Sequence, residues 1–197
     1  MPGNTQLGWN DRPVVSAFAS KSLGSTPSMI VHSRREREAA AASWLLLASP
    51  DARKARIEWE REGVTLLRCG ALLSAVRIPA PIVYAAAGTE DPHELTAILG
   101  DVLDGPVFYD RGGQHFYALT PHSTSRFWRV PETECLGSDY FLGVPATNLT
   151  EADPRYRAWW VVPMDGPALF CLPAAVACFV RRGLNLTSAT EAEADDA

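Results

Sequence analysis

GPVFYDRGGQHFYALTP, residues 105–121, reads as strand, tight turn, strand. Val107, Phe108 and Tyr109 favour extended backbone, and Gly112-Gly113 offers the positive φ angles that a two-residue hairpin turn demands. With those glycines in the turn, the ladder follows. Arg111 faces Gln114, Asp110 faces His115, Tyr109 faces Phe116 and Phe108 faces Tyr117. A carboxylate and an imidazole then stand side by side, next to bare glycine backbone that a ligand can approach.

Upstream of the hairpin the punctuation is helical. Ser33-Arg-Arg-Glu36 fits a capping box and predicts a helix to about Leu47. Ser49-Pro50-Asp51 starts a second helix that Gly63 ends, with Ala52, Ala55 and Trp59 facing inward. Val64–Arg68 and Leu73–Ile78 read as strands around Cys69-Gly70-Ala71, and Ile82–Ala87 as a short helix after two prolines. Asp91-Pro-His-Glu94 fits another capping box and opens an amphipathic helix with Leu95, Ile98, Leu99 and Val102 on one face, stopped by Gly105-Pro106.

Downstream, His122–Arg129 is a loop or short helix, Tyr140–Val144 a strand, Thr147–Pro154 a polar loop and Arg157–Pro163 a further strand. A last helix is expected from Pro173 to about Arg182. Hairpins mixed with flanking helices argue for an α+β fold, a mostly antiparallel sheet packed by helices. The expected organisation is a flexible leader over residues 1–32, with Val14–Phe18 as a candidate edge strand, one domain over 33–186, and a disordered acidic tail over 187–197.

The chain has 197 residues, 47% hydrophobic and 21% charged, enough for one domain with a real core. Its net charge is −5, and Glu191, Glu193, Asp195 and Asp196 all sit in the last seven residues. Without those four the rest stands at −1, so the strongly basic footprint of many nucleic-acid binders is absent. The four cysteines form no C-x-x-C pair, which argues against a zinc site or a disulfide framework and for free thiols in a reducing cytoplasm. Residues 1–30 lack a signal-peptide pattern, and the apolar runs are too short to span a bilayer, so no membrane role is expected. No metal or cofactor motif occurs.

Asp110 with His115 is the sharpest chemical pair. A carboxylate fixes the imidazole tautomer and raises its basicity, which suits a general base or a phosphate-binding cation. Gly112 and Gly113 could bring backbone amides to a phosphate. Arg111, Arg126, Arg129, Arg155 and Arg157 flank the hairpin in sequence. Converging with Trp128 or Trp159, they would hold a nucleotide or a single strand by charge and stacking.

GGQHFYALTP resembles the Gly-Gly-x-His-hydrophobic-aromatic strand of the bifunctional primase–polymerase domains, a branch of the archaeo-eukaryotic primase superfamily. Leu73–Ile78 sits where that family has its first catalytic strand. Leu136–Pro145 with Tyr156–Trp160 is similar to its later strand and aromatic hairpin. The resemblance spans about Gly63–Pro163 and implies a primase–polymerase-like fold. The family holds two metal ions with an Asp-x-Asp on that first strand, whereas Ser74-Ala-Val-Arg-Ile78 contains no acid. The resemblance therefore implies a degenerate member without polymerase chemistry, an accessory or regulatory module that binds nucleotide or nucleic acid through His115, Gly112 and Gly113. Two alternatives stay open. One is a small hydrolase or transferase using Asp110–His115 as base. The other is a protein–protein interaction module working through its leader and tail.

Overall fold

The structure is a computed structural model and describes residues 33–195. The leader expected over 1–32, with its candidate strand at Val14–Phe18, lies outside the described residues.

Helix α1 (Arg34–Leu45) begins with the full capping box: Ser33 Oγ accepts from the Glu36 amide at 3.3 Å, and Glu36 Oε2 accepts from the Ser33 amide at 2.7 Å. A 3-10 turn, Leu46–Ala48, leads to α2 (Ala52–Glu62), capped by Asp51 and ended by Gly63 at φ 72°. Ala55 and Trp59 are buried as expected, but Ala52, in the first turn, is exposed.

Strands β1 (Val64–Arg68) and β2 (Leu73–Pro79) follow, and they part company. β1 pairs with β6 (Phe141–Pro145) in a two-stranded ribbon, while β2 enters a five-stranded sheet. Their residue patterns explain the split. β1 alternates between buried and exposed positions, as a ribbon with one wet face should, whereas β2 is buried on both faces from Leu73 to Val76 and needs neighbours on both edges.

Helix α3 (Ala80–Ala87) ends at Gly88, and α4 (Pro92–Leu103) is capped by the Asp91 carboxylate on the His93 and Glu94 amides. The capping box expected there is not closed, because Thr89 Oγ1 donates to the Glu94 carboxylate and accepts the Asp91 amide. The buried stripe of α4 is Leu95, Leu99 and Leu103. Centred on Leu99, it leaves Val102 45% exposed at its solvent edge, against the inward placement expected.

Strands β3 (Val107–Asp110) and β4 (His115–Pro121) form the hairpin in the expected register, Asp110 opposite His115, Tyr109 opposite Phe116 and Phe108 opposite Tyr117. The turn itself differs. Neither Gly112 nor Gly113 adopts a left-handed φ; in the loop between the strands that conformation falls on Gln114, at 53°. Four residues, 111–114, bridge the strands, a length usually built around a right-handed turn rather than a mirror-image one.

β5 (Glu134–Leu136) and β7 (Ala158–Val162) complete the sheet in the order β5-β2-β4-β3-β7, every pair antiparallel. The fold is therefore α+β. The second strand of the hairpin is its middle strand. One sheet face packs Leu73, Ala75, Phe108, Leu119 and Trp160 against α1, α2 and the β1–β6 ribbon. The other packs Val76, Ile78, Phe116 and Ala118 against α3, α4 and α5 (Pro173–Asp195).

Helix α5 does not stop near Arg182 but continues to Asp195, through most of the stretch expected as a disordered tail. Gly183, just past the expected end, is a packing glycine: a Cβ there would lie 2.2 Å from the Ile82 carbonyl oxygen, so its absence lets α5 seat on α3. No glycine or proline follows to break the helix. Among the described residues, no helix is long and apolar enough to cross a membrane.

Candidate functional site

The ladder register brings Asp110 and His115 together at one end of the sheet, both half-buried. The carboxylate is held mainly by Arg157. That side chain precedes β7 and donates Nε to Oδ1 at 3.2 Å and Nη2 to Oδ2 at 3.1 Å. Asp110 Oδ1 also accepts the Gly112 amide at 3.0 Å.

Side chains come close to both glycines. A Cβ on Gly112 would meet Arg157 Nη2 at 2.9 Å. One on Gly113 would meet Asp110 Oδ2 at 3.1 Å and His115 Nδ1 at 3.3 Å. Gly113 thus lies between the carboxylate and the imidazole.

Residues directly opposed on neighbouring strands share a face. His115, Tyr117, Arg77 and Glu134 therefore continue the polar row begun at Asp110. Arg77 pairs with Glu134 at 3.0 Å, and the Tyr140 hydroxyl donates to Glu134 at 2.7 Å. Tyr117 stacks on Phe108 with ring centroids 4.9 Å apart. Burial, with the Asp110 charge adding to it, raises the Tyr117 phenol above its ordinary value.

The five arginines singled out in the sequence divide into two groups. Arg111 and Arg157 meet at the hairpin end, where Arg111 Nη2 donates to the carbonyls of Pro154 and Tyr156 at 3.1 and 3.2 Å. Arg155 follows in the same segment. Its guanidinium chelates Asp153 and, with the Arg155 amide, holds that carboxyl down to about 2. Arg126 and Arg129 lie beyond the far end of β4, in and after a 3-10 turn at His122–Arg126. Seven strand residues, about 20 Å of chain at ~3.4 Å each, separate that end from His115. Arg129 is spent there on the carbonyls of Trp128 and Arg126. Trp128 is half-buried with its Nε1 on Thr133 Oγ1 at 3.0 Å.

Asp110 and His115 line neither of two clefts on the opposite sheet face. There the same ladders align three rings across three strands: Phe116 on β4, Tyr109 on β3 and Trp159 on β7. The Tyr109–Phe116 centroids are 4.6 Å apart and the Tyr109–Trp159 centroids 5.2 Å. Tyr84 of α3 meets Phe116 edge-on at 5.7 Å. These four rings wall a cleft of about 600 Å³, with Arg34, Glu90, His93 and Glu151 among its lining residues. A second cleft, about 770 Å³, adjoins it and shares Tyr84, Glu90 and Tyr109. Burial and a hydrogen bond to Tyr109 push the Tyr84 phenol up to about 12, so it stays a neutral donor.

The sequence reading missed this cleft. The alternation that puts Asp110 and His115 on one face necessarily puts Tyr109 and Phe116 on the other. That half of the signal was available. The arrival of Trp159 beside them depends on a strand pairing between segments about fifty residues apart, which no local pattern encodes. Among the described residues, no group of three or more His, Cys, Asp or Glu side chains is placed to hold a metal ion.

No protein-family model matches the chain, and searches of curated proteins and of solved structures return no significant match.

Proposed function

We propose that this chain is a nucleotide- or nucleic-acid-binding module without phosphoryl-transfer chemistry of its own, and that its aromatic cleft takes a nucleobase. The observation that carries this reading is the row of Phe116, Tyr109 and Trp159, closed by Tyr84 into a cleft of about 600 Å³. Clefts of ~300–1,000 Å³ suit small ligands, and stacking a base on an aromatic ring contributes about 1–3 kcal/mol whichever base it is.

The resemblance to primase–polymerase domains agrees on ligand class and disagrees on catalysis. Where that family would carry its acidic pair, Ser74–Ile78 of β2 holds no acid, and Arg77 within it is ion-paired with Glu134. Two-metal phosphoryl transfer needs clustered carboxylates to hold its ions. A guanidinium at that place works against them. The general-base alternative is weakened by Arg157, whose fork occupies both oxygens of Asp110.

Calorimetric titration with nucleoside monophosphates and a short oligonucleotide tests the proposal. Binding is expected in the parent chain and at least about tenfold weaker in Trp159→Ala, in line with the loss of one stacking partner. No heat from any nucleotide at millimolar concentration sinks it.

A further inference from the structure

We infer that the cleft discriminates among bases, taking those with a hydrogen-bond-donating edge and using the Glu90 carboxylate as the acceptor that reads it. This rests on the base-binding reading above and adds the class of base.

The inference comes from what stands where the two clefts meet. The residues common to both are Tyr84, Tyr109 and Glu90. Tyr84 and Tyr109 are hydrogen-bonded to each other. Thr89, beside them, is committed as well: its hydroxyl donates to Glu94 at 2.6 Å and accepts the Asp91 amide at 3.1 Å. Glu90 is therefore the charged group that both clefts share, and it offers only acceptors. Its field reaches into the seam, since it helps to raise the Tyr84 phenol. Glu151 adds a second carboxylate to the aromatic cleft. Arg34 and His93 line that cleft alone, where a nucleotide's phosphate would need donors.

Bases differ in how they meet a carboxylate. Guanine carries adjacent ring N–H and amino donors that can engage both oxygens at once. Adenine and cytosine each bring one amino group. Uracil flanks its single ring N–H with two carbonyl oxygens, which repel the carboxylate. A two-point pair between a side chain and a base edge separates the base that completes it from one that cannot. The expected order is guanine first, adenine and cytosine next, uracil last.

The experiment is calorimetric titration of the full chain with GMP, AMP, CMP and UMP at one salt concentration, for the parent, Glu90→Gln and Trp159→Ala. GMP is expected to bind at least tenfold more tightly than UMP in the parent. Glu90→Gln is expected to erase most of that ratio with thermal melting unchanged, and Trp159→Ala to weaken all four alike. Equal binding of the four, a preference for UMP, or a guanine preference that survives Glu90→Gln overturns the inference and leaves base binding intact. Absence of binding by all four removes both.

Discussion

Arg157 closes Nε and Nη2 on the two oxygens of Asp110, at 3.2 and 3.1 Å, across 47 residues of sequence. The contact ties the start of β7 to the hairpin and fixes which partner the carboxylate has. It is a fork-to-fork pair, but the guanidinium side is 65% exposed and the carboxylate side 17%.

Such a half-wet pair contributes modestly. Arg157→Gln is expected to lower stability by about 0.5–1 kcal/mol in urea unfolding. Asp110→Ala should cost more, about 1–1.5 kcal/mol, because the Gly112 amide loses its acceptor too. Nucleotide affinity should hold in both variants, since the cleft lies on the other sheet face. A chain that keeps its stability but loses its ligand with Arg157→Gln would put the binding site at the hairpin end instead.

Two helical glycines separate packing from propensity. Gly100 of α4 has open space where a Cβ would go, whereas Gly183 of α5 has the Ile82 carbonyl at 2.2 Å. Gly100→Ala is expected to raise stability by about 0.5–1 kcal/mol through helix propensity. Gly183→Ala is expected to lower it by about 1–3 kcal/mol, because α5 must lift off α3. Thermal melts of the two variants would refute this if they moved in the same direction.

How much of this was readable in advance follows from how local each cause is. Ser33 with Glu36, Asp91 and Gly63 act within one helical turn, and each appears where the pattern put it. The β3–β4 register is nearly as local, and the adjacency of Asp110 and His115 came with it. The glycines of the turn were expected for their positive φ, and the left-handed position falls on Gln114 instead, because the loop holds four residues rather than two. The length of α5 was under-read beyond Arg182, and the contact that Gly183 makes with α3 lies outside the local sequence. The pairing of β3 with β7 and the separation of β1 from β2 are choices among distant partners, decided by packing. The Arg157 clamp and the aromatic cleft both depend on them.

The buried thiols make stability fall at alkaline pH. Burial pushes Cys69 and Cys171 up to about 12, and Cys135 to about 11. In the unfolded chain such thiols ionise near 9.0. The folded state therefore holds protons that the unfolded state releases. Its advantage is complete below about pH 9 and drains as the pH climbs toward 11–12. The urea midpoint should start to drop as the pH passes about 9, before ordinary tyrosines near 10 join in. Cys171→Ala should flatten that drop, though less stable overall, and the exposed Cys178 changed to alanine should not. An unchanged slope in Cys171→Ala would show that the thiol is not the source.

The β1–β6 ribbon is held to the rest of the fold by two indoles acting on adjacent carbonyls. Trp59 Nε1 on α2 donates to Val144 at 3.0 Å, and Trp160 Nε1 on β7 donates to Pro145 at 3.2 Å. Trp160 is fully buried, with Phe108 edge-on at 5.4 Å. Trp160→Phe keeps most of the apolar volume but strips the Pro145 carbonyl of its donor. The expected cost is about 1–3 kcal/mol, that of an unpaired buried acceptor. Trp160→Ala adds a cavity and should cost about 3–5 kcal/mol. The gap between the two variants in denaturant unfolding measures packing, and the gap between Trp160→Phe and the parent measures the hydrogen bond. If Trp160→Phe unfolds at the parent's midpoint, the indole bond is dispensable and apolar contact alone keeps the ribbon in place.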